Sequence, residues 1–189
     1  MLVSGKKIDV IALTETWLHE DIEESEIVIP GYSLTRMDRP GRNSHGGTAL
    51  YISDNISFKN IRDVTTNSFE SCWVEIDMKS SKPVILGVVY LPNKNSDFLD
   101  ELDETLYQIE TDDKEYIIVG DFNLNVFDPK DKEKINDFCY DHQLSQLVEK
   151  PTRVTENSST CIDLIFSSHP EKVNKIEVVP LGLSDRSME

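Results

Sequence analysis

Oxygen-bearing side chains stand where the apolar segments of this chain give out, and they set its candidate chemistry. Asp121 and Asn123 follow the run Tyr116–Val119 in the order Gly120-Asp121-Phe122-Asn123. In an extended backbone side chains alternate, so Asp121 and Asn123 share one side while Phe122 turns into the protein. A carboxylate beside a carboxamide can hold and orient a water or a metal-bound oxygen. The same residue types after a strand also form turns that cap their own backbone, and these four residues leave both readings open. Glu15 ends the apolar segment that starts at Ile8, within Thr14-Glu15-Thr16. Asp163 interrupts the strand-like run Thr160–Phe166, where a carboxylate is expensive unless paired, hydrogen-bonded or metal-bound. Asp185 follows the apolar stretch 173–183. Hard divalent cations prefer oxygen ligands, so carboxylates at strand ends make a candidate Mg²⁺ or Mn²⁺ site. Solvated loop acids are the other reading of the same spacing.

Strands and two helices must carry these groups. Alternation and apolar density predict strands near 8–14, 27–34, 47–53, 56–61, 70–78 and 83–91, then 116–120, 160–166 and 173–179. A helix is expected over 97–110, where Phe98, Leu99, Leu102, Leu106 and Ile109 form one stripe, and another near 131–141 around Ile135, Phe138 and Cys139. Gly31, Pro40-Gly41, Pro92-Asn93 and Pro129 punctuate the chain as turns. The interleaving implies a mixed α/β layer architecture. At 189 residues and 38% hydrophobic, the chain is long enough for one substantial core and too short for two full domains.

Six short segments in this order carry a resemblance: Leu13–Trp17, His45-Gly46-Gly47, Val89–Pro92, Gly120–Asn123, Ile162–Phe166 and Leu183-Ser184-Asp185. Together they resemble the endonuclease/exonuclease/phosphatase superfamily, and within it most nearly the endonuclease domain of non-LTR retrotransposons. The resemblance spans nearly the whole chain. It implies a four-layered α/β sandwich, two mixed sheets face to face with helices outside, and metal-dependent cleavage of phosphate esters. It also implies roles: Glu15 as principal metal ligand, Asp121 positioning or deprotonating the attacking water, and Asn123 orienting it and contacting the phosphate. Tyr90 would stabilise developing charge, Asp163 would bridge the site by hydrogen bonds, and Asp185 would orient a histidine. Read without the resemblance, Tyr90 is a half-buried core residue, His45 a turn residue with substrate contact as the lesser reading, and Trp17 a packing residue.

Two departures stand out. Where the family has Ser-Asp-His, this chain has Ser184-Asp185-Arg186. Arginine stays protonated and cannot exchange a proton as histidine does, although it can contact a phosphate; the plain alternative is a solvated tail residue. The family also has one further strand before Ile8 and a closing strand after Asp185. Residues 1–189 are therefore expected to form a single domain lacking its first and closing strands, impaired or inactive.

Charge and cysteine usage bound the partners. The net charge is −16, from 35 acidic against 19 basic residues. A field of that sign repels a polyanion except where a local patch overrides it. Arg36, Arg39 and Arg42, or Lys150 with Arg153, are the candidate patches for DNA, the partner implied by the resemblance. Cys72, Cys139 and Cys161 lack CxxC spacing and indicate neither disulfides nor zinc. No span approaches the ~20 apolar residues that cross a membrane, nothing signals oligomerisation, and the expected location is intracellular, with the nucleus implied by the resemblance alone. Three functions stand side by side: a retroelement-type DNA endonuclease domain, a phosphatase of the same fold acting on a small phosphorylated substrate, and a non-enzymatic remnant or binding domain.

Overall fold

Apolar density decides which strands lie in the middle. β6 (Val84–Tyr90) and β3 (Thr48–Ser53) are buried at every position, and both are interior strands of their sheets. The computed structural model describes residues 7–40, 45–61, 64, 66, 68–92, 98–109 and 113–179. In the smaller sheet β3 is flanked by β1 (Val10–Thr14) and β2 (Tyr32–Met37), both antiparallel to it. The larger sheet runs β4 (Phe58–Ile61), β5 (Glu70–Ile76), β6, β7 (Glu115–Asp121), β11 (Asp163–Ser167) and β8 (Ser145–Gln146). Among the described residues only β6 and β7 pair in parallel, with Tyr90 opposite Asp121. The connection between them contains α1 (Phe98–Ile109), as a parallel crossover requires. β9 (Arg153–Val154) and β10 (Ser159–Thr160) form a separate small hairpin.

The two faces of the large sheet see different partners. Toward the small sheet, Cys72, Val74, Ile76, Val84, Leu86 and Val88 pack against Leu50 and Ile52. The opposite face, with Trp73, Ile85, Val89, Ile118 and Phe166, packs under Phe98, Leu102 and Leu106 of α1 and Ile135 and Phe138 of α2 (Pro129–Asp141). Stacked sheets with helices outside are thus as expected. The outer face of the small sheet is met by the segment before β2, which holds a single 3₁₀ turn at Glu24–Glu26. There Tyr51 donates to the Ile27 carbonyl at 2.8 Å and Arg36 to that of Ile22 at 2.9 Å.

Four expectations need correction. The strand near 27–34 begins only at Tyr32, because Pro30 and Gly31 (φ +87°) make a turn closed by the Tyr32 amide on the Ile29 carbonyl. Residues 175–179 alternate exposed with half-buried, and Ile176 and Val178 reach the core, yet no described strand pairs with 173–179. The run 160–166 splits into β10 and β11. Pro129 does not stand outside α2 but opens it: Asp128 caps the helix by accepting from the Lys130 and Asp131 amides, where a missing proline N–H is harmless.

Candidate active site

Apart from His45, which lies in the loop before β3, the described candidate residues lie where loops meet the ends of β1, β6, β7 and β11. β7 stops at Asp121, which sits across from Asp163, the first residue of β11. Phe122 is fully buried among Phe98 and Phe166, as alternation predicts. Asn123 then takes a left-handed conformation (φ +48°), one that asparagine tolerates. Its amide donates to Asp121 Oδ1 at 2.9 Å and its side-chain Nδ2 to the Leu91 carbonyl at 2.6 Å. The turn that these residue types form after a strand is present: Asp121 accepts from the backbone two residues on, which fixes Asn123 beside it.

Glu15 comes from the other sheet. Just past β1 it lies at φ +52° and Trp17 at φ +54°. The Thr16 and Trp17 amides donate to the carbonyls of Gly47 (3.3 Å) and Gly46 (2.8 Å). That clasp holds Glu15 on an exposed shoulder, and the buried Tyr90 donates its hydroxyl to Glu15 Oε1 at 2.6 Å. Tyr90 is therefore buried and anchored rather than merely half-buried packing. Burial first, then the bond to Glu15, keeps its phenol protonated well above its ordinary range. The Arg39 guanidinium lies 5.8 Å from its ring centroid.

Asp121 is pushed up to about 6, by burial first and then by the Asp163 and Glu15 carboxylates; the Asn123 amide and Arg153 pull the other way. Asp163 itself is exposed, contrary to a costly interior placement, because it opens β11 at its edge; its amide donates to Thr152 Oγ1 at 3.1 Å. His45 is exposed, edge-on to Trp17 with centroids 4.4 Å apart. Asp185 and Arg186 lie outside the described residues. Beside Asn123 opens a groove of about 420 Å³, between Asn125 and Asp128 on one wall and Arg153, Thr155 and Ser158 on the other.

Sequence reasoning missed Glu70, Thr152 and Asn125. Glu70 accepts from Arg39 Nε and from the Gly47 amide, and nothing in its neighbourhood distinguishes it from an ordinary strand residue. Asn125 Oδ1 takes the Cys161 amide at 3.0 Å, tying the loop after β7 to the segment that leads into β11. The arginine patch is also less available than composition suggests. Arg36 pairs with Asp38 at 3.5 Å and Arg39 with Glu70, while Arg42 lies outside the described residues.

A hard cation fits this donor set. Burial first, and after it the Asp163 and Glu15 carboxylates, raise Asp121, and a cation would relieve the repulsion among the three. Among the described residues no three His, Cys, Asp or Glu side chains are grouped closely enough to hold an ion by themselves. Mg²⁺ needs only one or two carboxylates where waters and substrate oxygens complete its shell.

Comparison with known proteins places the chain. Residues 2–185 match the model of the endonuclease/exonuclease/phosphatase family. Over 123 residues the chain is 28% identical to an RNA-directed DNA polymerase from the mobile element jockey of Drosophila funebris; the match takes in 65% of this chain and 13% of that protein's length. Among solved structures it resembles the endonuclease domain of TRAS1, a telomere-specific non-LTR retrotransposon. That likeness has a TM-score of 0.56 and 15% identity, and covers 73% of this chain and 67% of that one. It also resembles the AP endonuclease LMAP of Leishmania major, with a TM-score of 0.63 and 14% identity over 85% of this chain and 69% of that one. Likenesses at such identity speak for the fold. By the family match, this chain belongs to the endonuclease/exonuclease/phosphatase family.

Proposed function

We propose that this chain is a divalent-metal-dependent phosphodiester hydrolase domain of the retrotransposon endonuclease type, acting on DNA. The convergence of Glu15, Tyr90, Asp121, Asn123 and Asp163 from four strand ends carries the reading. The jockey and TRAS1 likenesses support the retroelement branch. Glu15 is the residue that would hold the metal, with Asp121 and Asp163 near enough to share its field. A bound Mg²⁺ or Mn²⁺ would supply charge stabilisation at the phosphate. Asp121, carrying a carboxylate that ionises near neutral pH, is suited to take a proton from the attacking water. Asn123 has committed one N–H to the Leu91 carbonyl and is thereby fixed to orient that water. Tyr90 keeps its proton and donates a hydrogen bond to Glu15 Oε1, holding that carboxylate in place; only once a bound cation takes Glu15 over would the hydroxyl be released toward developing charge.

Arg186 stands at the family's histidine position, so we propose slow cleavage: an arginine there can bind a phosphate but not exchange a proton. One observation favours a small phosphorylated substrate instead. The net charge of −16, with Arg36 and Arg39 already paired to acids, suits a monoester better than a polyanion. A non-enzymatic remnant would bind metal or DNA and cut nothing. Nicking of supercoiled plasmid, run against a panel of small phosphate esters, separates the three.

Metal binding is tested without turnover. At ten times its dissociation constant a cation that binds only the native state adds about 1.4 kcal/mol. For a chain of this size that is a rise in Tm of about 3–5 °C. Glu15→Gln is expected to remove most of the rise, whereas Glu104→Gln, on α1, is expected to keep it. An equal loss in both would reduce the effect to general charge screening.

A further inference from the structure

We infer that Glu70, acting with Arg39, is a positioning residue that sets the Tyr90–Glu15 pair at the mouth of the site. The inference rests on the proposed function for its consequence, but on geometry for its substance. Glu70 opens β5 directly across from Tyr90 on β6. Residues directly opposite in an antiparallel pair present side chains on the same face, so the carboxylate of Glu70 stands next to the tyrosine ring.

From there Glu70 reaches both members of the pair. Oε1 takes Arg39 Nε, and Arg39 lies over the Tyr90 ring. Oε2 takes the Gly47 amide, and Gly46-Gly47 are the residues whose carbonyls hold the Thr16 and Trp17 amides beside Glu15. One carboxylate therefore anchors the cover of Tyr90 and the clasp of Glu15. The glycines are shaped for this. A β-carbon on Gly46 would come within 2.6 Å of the central carbon of the Arg39 guanidinium, and one on Gly47 within 2.5 Å of Thr16 Oγ1. Both glycines also have positive φ, at +144° and +87°. Glu70 and Arg39 are mostly covered, at 15% and 28% side-chain exposure, so their pairing is less screened than a surface ion pair. Glutamine at position 70 would keep an acceptor for Gly47 but lose the charge that fixes the arginine fork.

The test uses the full 189-residue chain labelled with 3-fluorotyrosine, its Tyr90 ¹⁹F resonance assigned by its absence in Tyr90→Phe. Glu70→Gln is expected to move that resonance while leaving those of the other tyrosines in place, and to weaken Mn²⁺ binding about tenfold or more. Glu75→Gln, on the same strand but paired with Lys114 at 2.8 Å, is expected to change neither. Should Glu70→Gln fail to fold, Arg39→Lys, which keeps the charge and loses the fork, takes its place. An unmoved Tyr90 resonance in the folded variant overturns the inference. If the unsubstituted chain binds no Mn²⁺ while the resonance still moves, the metal reading falls and the positioning role stands.

Discussion

Asp121→Asn is expected to abolish cleavage and, in the metal-free protein, to make the fold more stable. The loss of cleavage follows from the proposed role: removing a general base reduces rate by roughly 10²–10⁴-fold. The gain in stability follows from linkage. Asp121 ionises at about 6 in the folded chain against an ordinary value of 3.8. Below both values the group is neutral in either state and nothing is lost. As pH rises from about 4 to 6, the unfolded chain gives up the proton while the folded chain retains it, so stability falls. Above 6 the full penalty is present. A displacement of that size corresponds to at most about 3 kcal/mol, which solvent screening at this half-buried carboxylate reduces to about 1–2 kcal/mol. Asparagine keeps the oxygen that caps the Asn123 amide and removes the charge. Urea unfolding in chelator at pH 7.5 should therefore show the variant more stable, with the difference vanishing toward pH 4. A variant that is less stable at pH 7.5, or that still cuts at the original rate, would defeat this account.

Gly120→Ala is expected to lose more than about 3 kcal/mol and to take the metal response with it. Gly120 has φ +150°, and a β-carbon there would drive into the carbonyl of Val89, its neighbour in the parallel β6–β7 ladder. Backbone in the middle of a sheet cannot step aside as a flexible side chain can. The residue after it is Asp121, so any shift that relieves the clash also displaces the carboxylate. Gly31→Ala provides the contrast: φ is +87° there too, but nothing stands within 4 Å, and only the conformational penalty of roughly 1 kcal/mol is expected. Unfolding midpoints of the two variants decide the matter, and equal midpoints would show the close approach at Gly120 to be unimportant.

Much of the fold was legible because its strands announce themselves. Segments 47–53, 83–91 and 116–120 are apolar almost throughout, and they became the interior strands β3, β6 and β7. The helix stripe at Phe98, Leu102 and Leu106 did the same for α1. What the sequence hid was pairing. Residues 173–179 have the composition of a strand, but a strand exists only beside a partner, which composition does not report. β9 and β10 are two residues each, too short for any period. At the site, Asp121, Asn123 and Glu15 were readable because polar groups at the end of an apolar run are conspicuous. Glu70 was not: its meaning comes from standing opposite Tyr90 in register and under a loop more than twenty positions away. The left-handed turn at Glu15 had no local signal either, since it is imposed by the Gly46-Gly47 clasp rather than by glycine or asparagine in place.

The hydrogen bond from Tyr90 to Glu15 joins residues 75 positions apart and bridges the two sheets, and that separation has a kinetic meaning. No local hairpin can make the contact while the chain is still searching. Closing so long a loop is paid for in chain entropy before the contact returns anything. Each sheet can gain its own pairing first, and the pocket comes into being only when one has docked on the other. During refolding, sheet content should therefore lead and cation affinity should lag behind it, so that a site of this kind doubles as a timestamp for the last event in assembly.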